Sequence, residues 1–375
     1  MEAFRIKNGI SATRYLGSNG TETAGSEAYD IAGASYDSVS FSIAAQDTNP
    51  VGLFFKPDGT KMYFVGYAGD SVYEYDLSTA WDVSAASFLQ SKSVAAQETS
   101  PYDIFFKPDG TKMYVVGITG DDVNEYNLST AWDISTASFL QLFSVAAQET
   151  TPVGLFFKPD GTKMYVLGFS GDDVNEYNLS TAWDVSTSSF LQNFSVLAQD
   201  DSPTGLFFKP DGTKMYVVGN TGDNVHEYNL STAWDVSTSS FLQSFNVAAQ
   251  DTQPYGLFFK TDGTKLYVLG STGDTVYQYS TVGYTQTLDL STGTTFSFTP
   301  SGATTVSFTN APASGKAVGF AVEINGDGSA ITWPSSVKWP SGVAPTATAS
   351  KEVYAFVTTD GGTSYYGKKA AEGLE

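Results

Sequence analysis

The chain has 375 residues, of which 41 % are apolar and 14 % aromatic, enough for sizeable cores, so a wholly disordered protein is excluded. A net charge of −21 disfavours nucleic acid and anionic lipid as partners. With no cysteine and one histidine, a disulfide framework, a thiolate or multi-histidine metal site and a cysteine nucleophile are excluded as well.

Residues 1–36 are polar and contain the only two arginines of the chain, Arg5 and Arg14. They predict an extended arm or anchor, with a partly disordered terminus as the alternative. The first residues lack the apolar core of a signal peptide, and no run reaches the ~18 apolar residues of a membrane span. We therefore expect neither export through a secretory channel nor membrane insertion.

The central part of the chain is an internal repeat with a period of 51 residues. The motif Phe-Phe-Lys-x-Asp-Gly-Thr-Lys begins at Phe54, Phe105, Phe156, Phe207 and Phe258. Leu-Ser-Thr-Ala-Trp-Asp occurs four times, with its tryptophan at Trp81, Trp132, Trp183 and Trp234. Each tryptophan occurs once per full unit, which favours a role in packing; stacking on a sugar is the alternative.

Each unit predicts four short strands, which in one unit are 152–158, 163–168, 174–179 and 191–198. Four strands per 40–50 residues is typical of a β-propeller blade. Residues 38–45 match the fourth strand of a unit, whereas the last unit has three strands and lacks the tryptophan connection. We predict an all-β fold with a five-bladed β-propeller over 37–282, closed by the N-terminal strand. An open β-array is the alternative.

Residues 283–375 break both the period and the acidity, since 37–282 hold 29 of the 40 acidic residues. They contain alternating runs at 294–299, 304–309, 317–324 and 353–359, separated in part by glycine-rich turns. This pattern predicts a separate, small antiparallel β-sandwich or barrel.

Several segments resemble known families. The repeat resembles the Pro-Asp-Gly-Thr-Lys-x-Tyr-Val propeller repeat of bacterial surface and phage proteins. The runs 331–342 (ITWPSSVKWPSG) and 357–367 (VTTDGGTSYYG) look like a small β-domain of tailed-phage virion proteins, which often ends fibres, spikes and head-decoration proteins. Residues 4–9 and 14–16 resemble, more weakly, the start of phage structural proteins. The resemblance implies a virion component without a particular chemistry.

The acidic residues recur from blade to blade, which favours structural or solvated roles over an asymmetric catalytic pocket. We therefore expect no enzymatic activity, no cofactor and no metal site; calcium binding by the Gly-Asp-Asp loops at 120–122 and 171–173 is the alternative. Aligned residues at the position of His226 are Tyr or Asn, so we expect this histidine to be a partly exposed strand residue. The repeated acids are Asp70, Asp121, Asp172, Asp223 and Asp274, and Glu74, Glu125, Glu176 and Glu227.

A few positions vary among otherwise near-identical units. They lie in the loop between the second and third strands and at the entry to the first strand, which share one face of a propeller around its central opening. Exposed apolar or aromatic residues there predict a ligand- or receptor-binding face, with neutral loop variation as the alternative. The candidate binding residues are Tyr67, Ile118, Phe169, Asn220, Tyr102 and Tyr255.

Together these features predict a phage virion structural protein of fibre, spike or head-decoration type, exposed on the particle and contributing to host attachment. It would assemble in the host cytoplasm and be extracellular after lysis. Expected partners are other virion proteins through the arm, a host surface glycan or receptor, and further copies as a trimer through residues 283–375, whose aromatics include Trp333, Trp339, Tyr365 and Tyr366. The alternatives are a carbohydrate-binding lectin or adhesin and a polysaccharide-degrading propeller enzyme.

Overall fold

The computed structural model describes residues 20–23, 28–281, 284–300, 304–326, 331–340, 342–348 and 350–374. These group into two compact units. Residues 28–281 form one unit, and the strand Gly20–Thr23 joins the residues from 284 onward in the other. Most of the predicted arm, including Arg5 and Arg14, lies outside the described residues.

The first unit confirms the predicted five-bladed propeller, because it consists of five antiparallel sheets of four strands. Strands of blade 1 are Pro50–Phe55, Lys61–Gly66, Ser71–Leu77 and Ala86–Ser93. Blade 2 has Pro101–Phe106, Lys112–Gly117, Asp122–Leu128 and Ala137–Ser144, and blade 3 has Pro152–Phe157, Lys163–Gly168, Asp173–Leu179 and Ser188–Ser195. Blade 4 has Pro203–Phe208, Lys214–Gly219, Asn224–Leu230 and Ser239–Asn246, and blade 5 has Pro254–Phe259, Lys265–Gly270, Thr275–Ser280 and Ser35–Ser42.

A one-turn 3-10 helix precedes the fourth strand in blades 1 to 4: Val83–Ala85, Ile134–Thr136, Val185–Thr187 and Val236–Thr238. Each is capped by the aspartate of the Trp-Asp motif; in blade 3, Asp184 accepts a hydrogen bond from the Ser186 N–H. Among the described residues, no helix is long and apolar enough to cross a membrane.

The Pro-Asp-Gly turn joins the first two strands of a blade, and the tryptophan ring packs against the glycine of this turn. In blade 3, Asp160 accepts a 3.0 Å hydrogen bond from the Thr162 N–H, and Gly161 adopts a φ of +74°. The Trp183 ring lies so close that a side chain on Gly161 would overlap it. The Trp183 carbonyl also accepts a 2.8 Å hydrogen bond from Tyr114 of blade 2. The tryptophans therefore pack and link blades, as their repetition indicates.

The propeller axis is closed by phenylalanines from the first strand of every blade. Neighbouring rings meet edge to face, with centroids 5.1 to 5.3 Å apart, the geometry that aromatic pairs prefer. The five residues are Phe54, Phe105, Phe156, Phe207 and Phe258.

The N-terminal strand closes the ring as predicted, because Ser35–Ser42 pairs antiparallel with Thr275–Ser280. The last unit lacks the tryptophan connection, as its sequence indicates, and a residue of the N-terminal segment substitutes for it. Tyr29 takes the tryptophan's place, with a φ of 67° and a 2.9 Å hydrogen bond from its N–H to the Gly263 carbonyl. Trp81 has the same φ of 67° and a corresponding 3.0 Å bond to Gly59.

The described residues of the second unit form two sheets. The first orders Gly20–Thr23, Tyr284–Asp289, Thr304–Thr309 and Ile331–Thr332, and the second orders Thr295–Phe298, Val318–Asn325, Lys351–Thr358, Tyr365–Leu374 and Val337–Lys338. The expectation of a purely antiparallel unit is wrong, because four of the strand pairs are parallel. Alternation of apolar residues specifies the faces of a strand but not the direction of its neighbour.

The aromatic residues of the second unit mostly fill its own core. Trp333 and Tyr365 are buried, and Trp339 packs against them. Tyr366 is 60 % exposed, so one of the four aromatics is free to contact another surface. Self-association through this unit stays a prediction.

Candidate functional site

The repeated glutamates of the third strands join adjacent blades. Glu176 is buried and binds the ammonium of Lys163 in its own blade. It also accepts hydrogen bonds from the Gln192 side chain at 2.9 Å and from the Val236 N–H of blade 4 at 3.1 Å. Equivalent contacts are made by Glu74, Glu125 and Glu227. These carboxylates are saturated by structural contacts, which agrees with their predicted structural role.

Blade 5 has Gln278 where the other blades have glutamate, and the closing strand supplies the missing carboxylate. Asp37 Oδ2 accepts 2.6 and 3.0 Å hydrogen bonds from Lys265 Nζ and Gln278 Nε2, and Asp37 Oδ1 accepts one of 2.6 Å from Ser280 Oγ. One additional residue in the bulge of the closing strand brings Asp37 to this place. Blade 5 thus keeps the negative charge of the network, although the carboxylate comes from the closing strand and not from the third strand.

A second set of buried acids anchors the loops at one mouth of the ring. Glu149, which follows the fourth strand of blade 2, accepts hydrogen bonds from the Thr151 N–H at 2.6 Å and the Gly171 N–H at 2.9 Å. The equivalents are Asp47, Glu98, Asp200 and Asp251. These acids hold the loops that carry the variable residues.

His226 is buried with 3 % exposure, so the expectation of a partly exposed residue is wrong. Its Nδ1 lies 2.8 Å from Ser244 Oγ, and its Nε2 lies 3.4 Å from the carboxylate of Asp200. Tyr73 makes the corresponding contact to Asp47 in blade 1. In blades 2 and 3 the aligned Asn124 and Asn175 instead donate to Asp122 and Asp173 of their own strands.

Three of the six candidate binding residues come together at the mouth formed by these loops. The ring centroid of Tyr102 lies 5.5 Å from that of Tyr67 and 6.4 Å from that of Tyr255. All three are half-buried, and burial raises the pKa of Tyr102 to about 12. Because Tyr102 belongs to blade 2 and Tyr255 to blade 5, the cluster spans the intervening blade 1. We call these residues the tyrosine mouth.

The other three candidates are not part of this cluster. Phe169 is 42 % exposed and makes no ring contact with the three tyrosines in the part of the chain that the structure describes. Ile118 and Asn220 are half-buried. Asn220 Oδ1 is buried and has no hydrogen-bond partner among the described residues.

Sequence reasoning missed an acidic residue next to the axis. Asp103 occupies the inner-strand position that is glycine in every other blade, namely Gly52, Gly154, Gly205 and Gly256. Its carboxylate accepts 2.8 Å hydrogen bonds from the Ile104 N–H and from the Leu155 N–H of blade 3. Burial raises the pKa of Asp103 to about 8. The aspartate within an otherwise constant glycine series was the signal that could have revealed it.

Asp103 lines a small axial cavity of about 10 Å³, enough for about one water molecule. The cavity also borders Gly205, Gly256 and the phenylalanines that close the axis. The cavity is therefore too small for a ligand larger than water.

Within the described ranges, no group of three or more acidic or histidine side chains is placed to hold a metal ion. In the two Gly-Asp-Asp loops, Asp121 and Asp172 adopt φ values of 48° and 46°. Their carbonyls accept hydrogen bonds from Val145 and Val196 at 2.8 and 2.7 Å, so both loops are tied to the following turn.

No protein-family model matches the chain, and no curated protein matches it. Similar solved structures include candidate 6-phosphogluconolactonases from Bacteroides uniformis (16 % identity, TM-score 0.38, covering 58 % of this chain and 63 % of that one) and Bacteroides fragilis (18 %, 0.38, 58 % and 62 %). A periplasmic gluconolactonase from Pseudomonas aeruginosa has 18 % identity and a TM-score of 0.36, covering 52 % of this chain and 54 % of its own. The chain thus spans less than two thirds of the length of these proteins.

These structures correct the prediction that the chain is not an enzyme, since solved propellers similar to it are named as enzymes. At such identities the likeness concerns the propeller fold and transfers no activity. The prediction was based on acids that recur in nearly every blade, and Asp103, which occurs at its position in blade 2 alone, was not among them.

Proposed function

We propose that this chain is a virion protein of tailed phages that contributes to host attachment, and that the tyrosine mouth binds a surface carbohydrate. The observation that carries the binding role is the convergence of Tyr67, Tyr102 and Tyr255 at one end of a closed ring. Tyrosine offers a flat apolar face for a sugar ring and a hydroxyl for its polar groups.

The rigidity of the mouth supports this role. The Tyr67 N–H donates a 3.0 Å hydrogen bond to the Asn49 carbonyl, and the buried acid Asp47 holds both Asn49 and Gly69 by their N–H groups at 2.9 and 2.8 Å. Because the loop is fixed before binding, little conformational freedom is lost when a ligand arrives.

Binding is tested by titrating the full chain with purified host surface polysaccharide. Tyr102→Ala removes the central ring of the cluster, and we expect the affinity to fall by about tenfold or more. Phe190→Ala is the matched control, since Phe190 is 44 % exposed on the outer strand of blade 3 and should leave the affinity unchanged. Equal affinities for the wild type and Tyr102→Ala would contradict a role of the mouth in binding.

The virion context is supported by the resemblance of residues 331–342 and 357–367 to phage β-domains. In this proposal, the N-terminal arm contacts other virion proteins and the second unit forms a trimer. Antibody labelling of intact particles should place the chain on the virion surface. Light scattering of the full chain and of Tyr366→Ser would report the trimer and whether its exposed aromatic contributes.

A further inference from the structure

The environment of Asp103 differs from that of the blade-junction acids and of the loop-anchoring acids at the mouth. The carboxylates at the blade junctions contact lysine, and those at the mouth hold loop N–H groups. Asp103 receives two N–H groups from the inner strands and no cation among the described residues. It also lies tightly against blade 1, since a side chain on Gly52 would come within 2.7 Å of its Oδ1.

The strands packed around Asp103 carry six titratable side chains, none of which neutralises it. On the second strand of blade 1, Lys61 is bound to Glu74 and Asp76, and Tyr63 donates its hydroxyl to the Trp132 carbonyl at 2.7 Å. Lys112, on the neighbouring strand of blade 2, is bound to Glu125. Tyr114 on the same strand donates its hydroxyl to the Trp183 carbonyl at 2.8 Å. Tyr102 and Tyr255 are phenols and supply no cation. An ionised Asp103 would therefore be a buried charge without a counter-ion, which is strongly unfavourable.

We propose that Asp103 is a proton-binding site of the closed ring, so that the propeller takes up one proton at this carboxyl on folding and is weakened when the proton leaves. Ionisation of Asp103 would draw water between the inner strands of blades 2 and 3, which are joined here by the hydrogen bond from the Leu155 N–H to Asp103. The other four blades have glycine at this position and no ionisable group there, so their contacts with the next blade should not depend on this proton.

The direction of the effect follows from proton linkage. The unfolded chain releases the Asp103 proton near pH 4, whereas burial raises the pKa of the folded carboxyl to about 8. The unfolded state therefore binds fewer protons between these values. Stability from this group is fully present below about pH 4, and it is lost as the pH rises through 8.

The test compares urea unfolding of the full chain with that of Asp103→Gly, which installs the residue of the other four blades. Between about pH 5 and 8, the wild-type unfolding constant should rise about tenfold per pH unit relative to the variant. Asp103→Asn, which stays neutral, should follow Asp103→Gly. If Asn at this position prevents folding, the glycine variant decides alone. A constant ratio of wild type to glycine variant from pH 5 to 8.5 would overturn the proposal.

Amide hydrogen exchange provides a local readout. Above pH 8 the Leu155 N–H should lose protection relative to those of Leu206 and Leu257, which occupy the same position beside glycine-bearing blades. In Asp103→Gly, the relative protection of the three amides should no longer depend on pH. Parallel exchange of these amides in the wild type at every pH would also contradict the proposal.

Discussion

Removing residues 1–42 is expected to abolish cooperative unfolding of the propeller. The deletion leaves the Thr275–Ser280 strand as an open edge and takes away Tyr29, whose ring packs 5.5 Å from that of Phe259. It also removes Asp37, which leaves the Lys265 ammonium and the Gln278 amide without their acceptor. Calorimetry should show no propeller transition, and size-exclusion chromatography should show aggregates.

The matched control is removal of residues 1–26, which keeps the closing segment and eliminates the strand Gly20–Thr23 of the other unit. In that variant the propeller should melt at its original temperature while the second unit is weakened. A soluble chain lacking residues 1–42 with an unchanged propeller transition would show that closure by the N-terminal strand is dispensable.

Replacing Glu176 with alanine is expected to destabilise the propeller by about 3–5 kcal/mol. The change leaves the Lys163 ammonium without its partner and removes the acceptor of the Val236 N–H across the blade boundary. Glu176→Gln keeps a hydrogen-bond acceptor and should lose clearly less. Denaturant midpoints at constant slope would give both values.

Lys158→Ala is the appropriate control for this prediction, because it breaks an exposed ion pair in the same blade. The Lys158 Nζ lies 2.7 Å from Asp160, whose carboxylate is half exposed. Such pairs contribute at most about 1 kcal/mol. If both lysine and glutamate variants unfold at the same denaturant concentration, the blade-junction network is not a major source of stability.

Much of the propeller could be predicted because the same sequence features occur in each of its blades. The 51-residue period, the Asp-Gly turns and the mostly apolar first strands occur in every blade, so five copies indicate the same strand order. The closing strand was predictable for the same reason, since residues 38–45 retain the alternation of a fourth strand. The second unit has no repeated elements to compare. Its parallel strand pairs could not be predicted, because a strand shows the same alternation of apolar and polar residues in parallel and antiparallel pairs.

The remaining features depend on departures from the repeat. Tyr29 replaces a tryptophan and Asp37 replaces a glutamate from another strand, and neither keeps the spacing that a motif search would follow. Asp103 departs in the opposite way, with correct spacing and a changed residue. Among the candidate binding residues, only Tyr67, Tyr102 and Tyr255 have rings that contact each other, because they are large and lie on neighbouring blades. The position of a residue in its loop does not predict such contacts.

Closure by an early segment also fixes when the ring can be completed during synthesis. Blades 1 to 4 are each built from consecutive chain, whereas Tyr29 and Asp37 wait for partners more than 220 residues later. At ribosomal rates this interval is roughly 10–50 s, during which four blades emerge without their final neighbour. A translational pause before residue 254 would prolong the life of the open array.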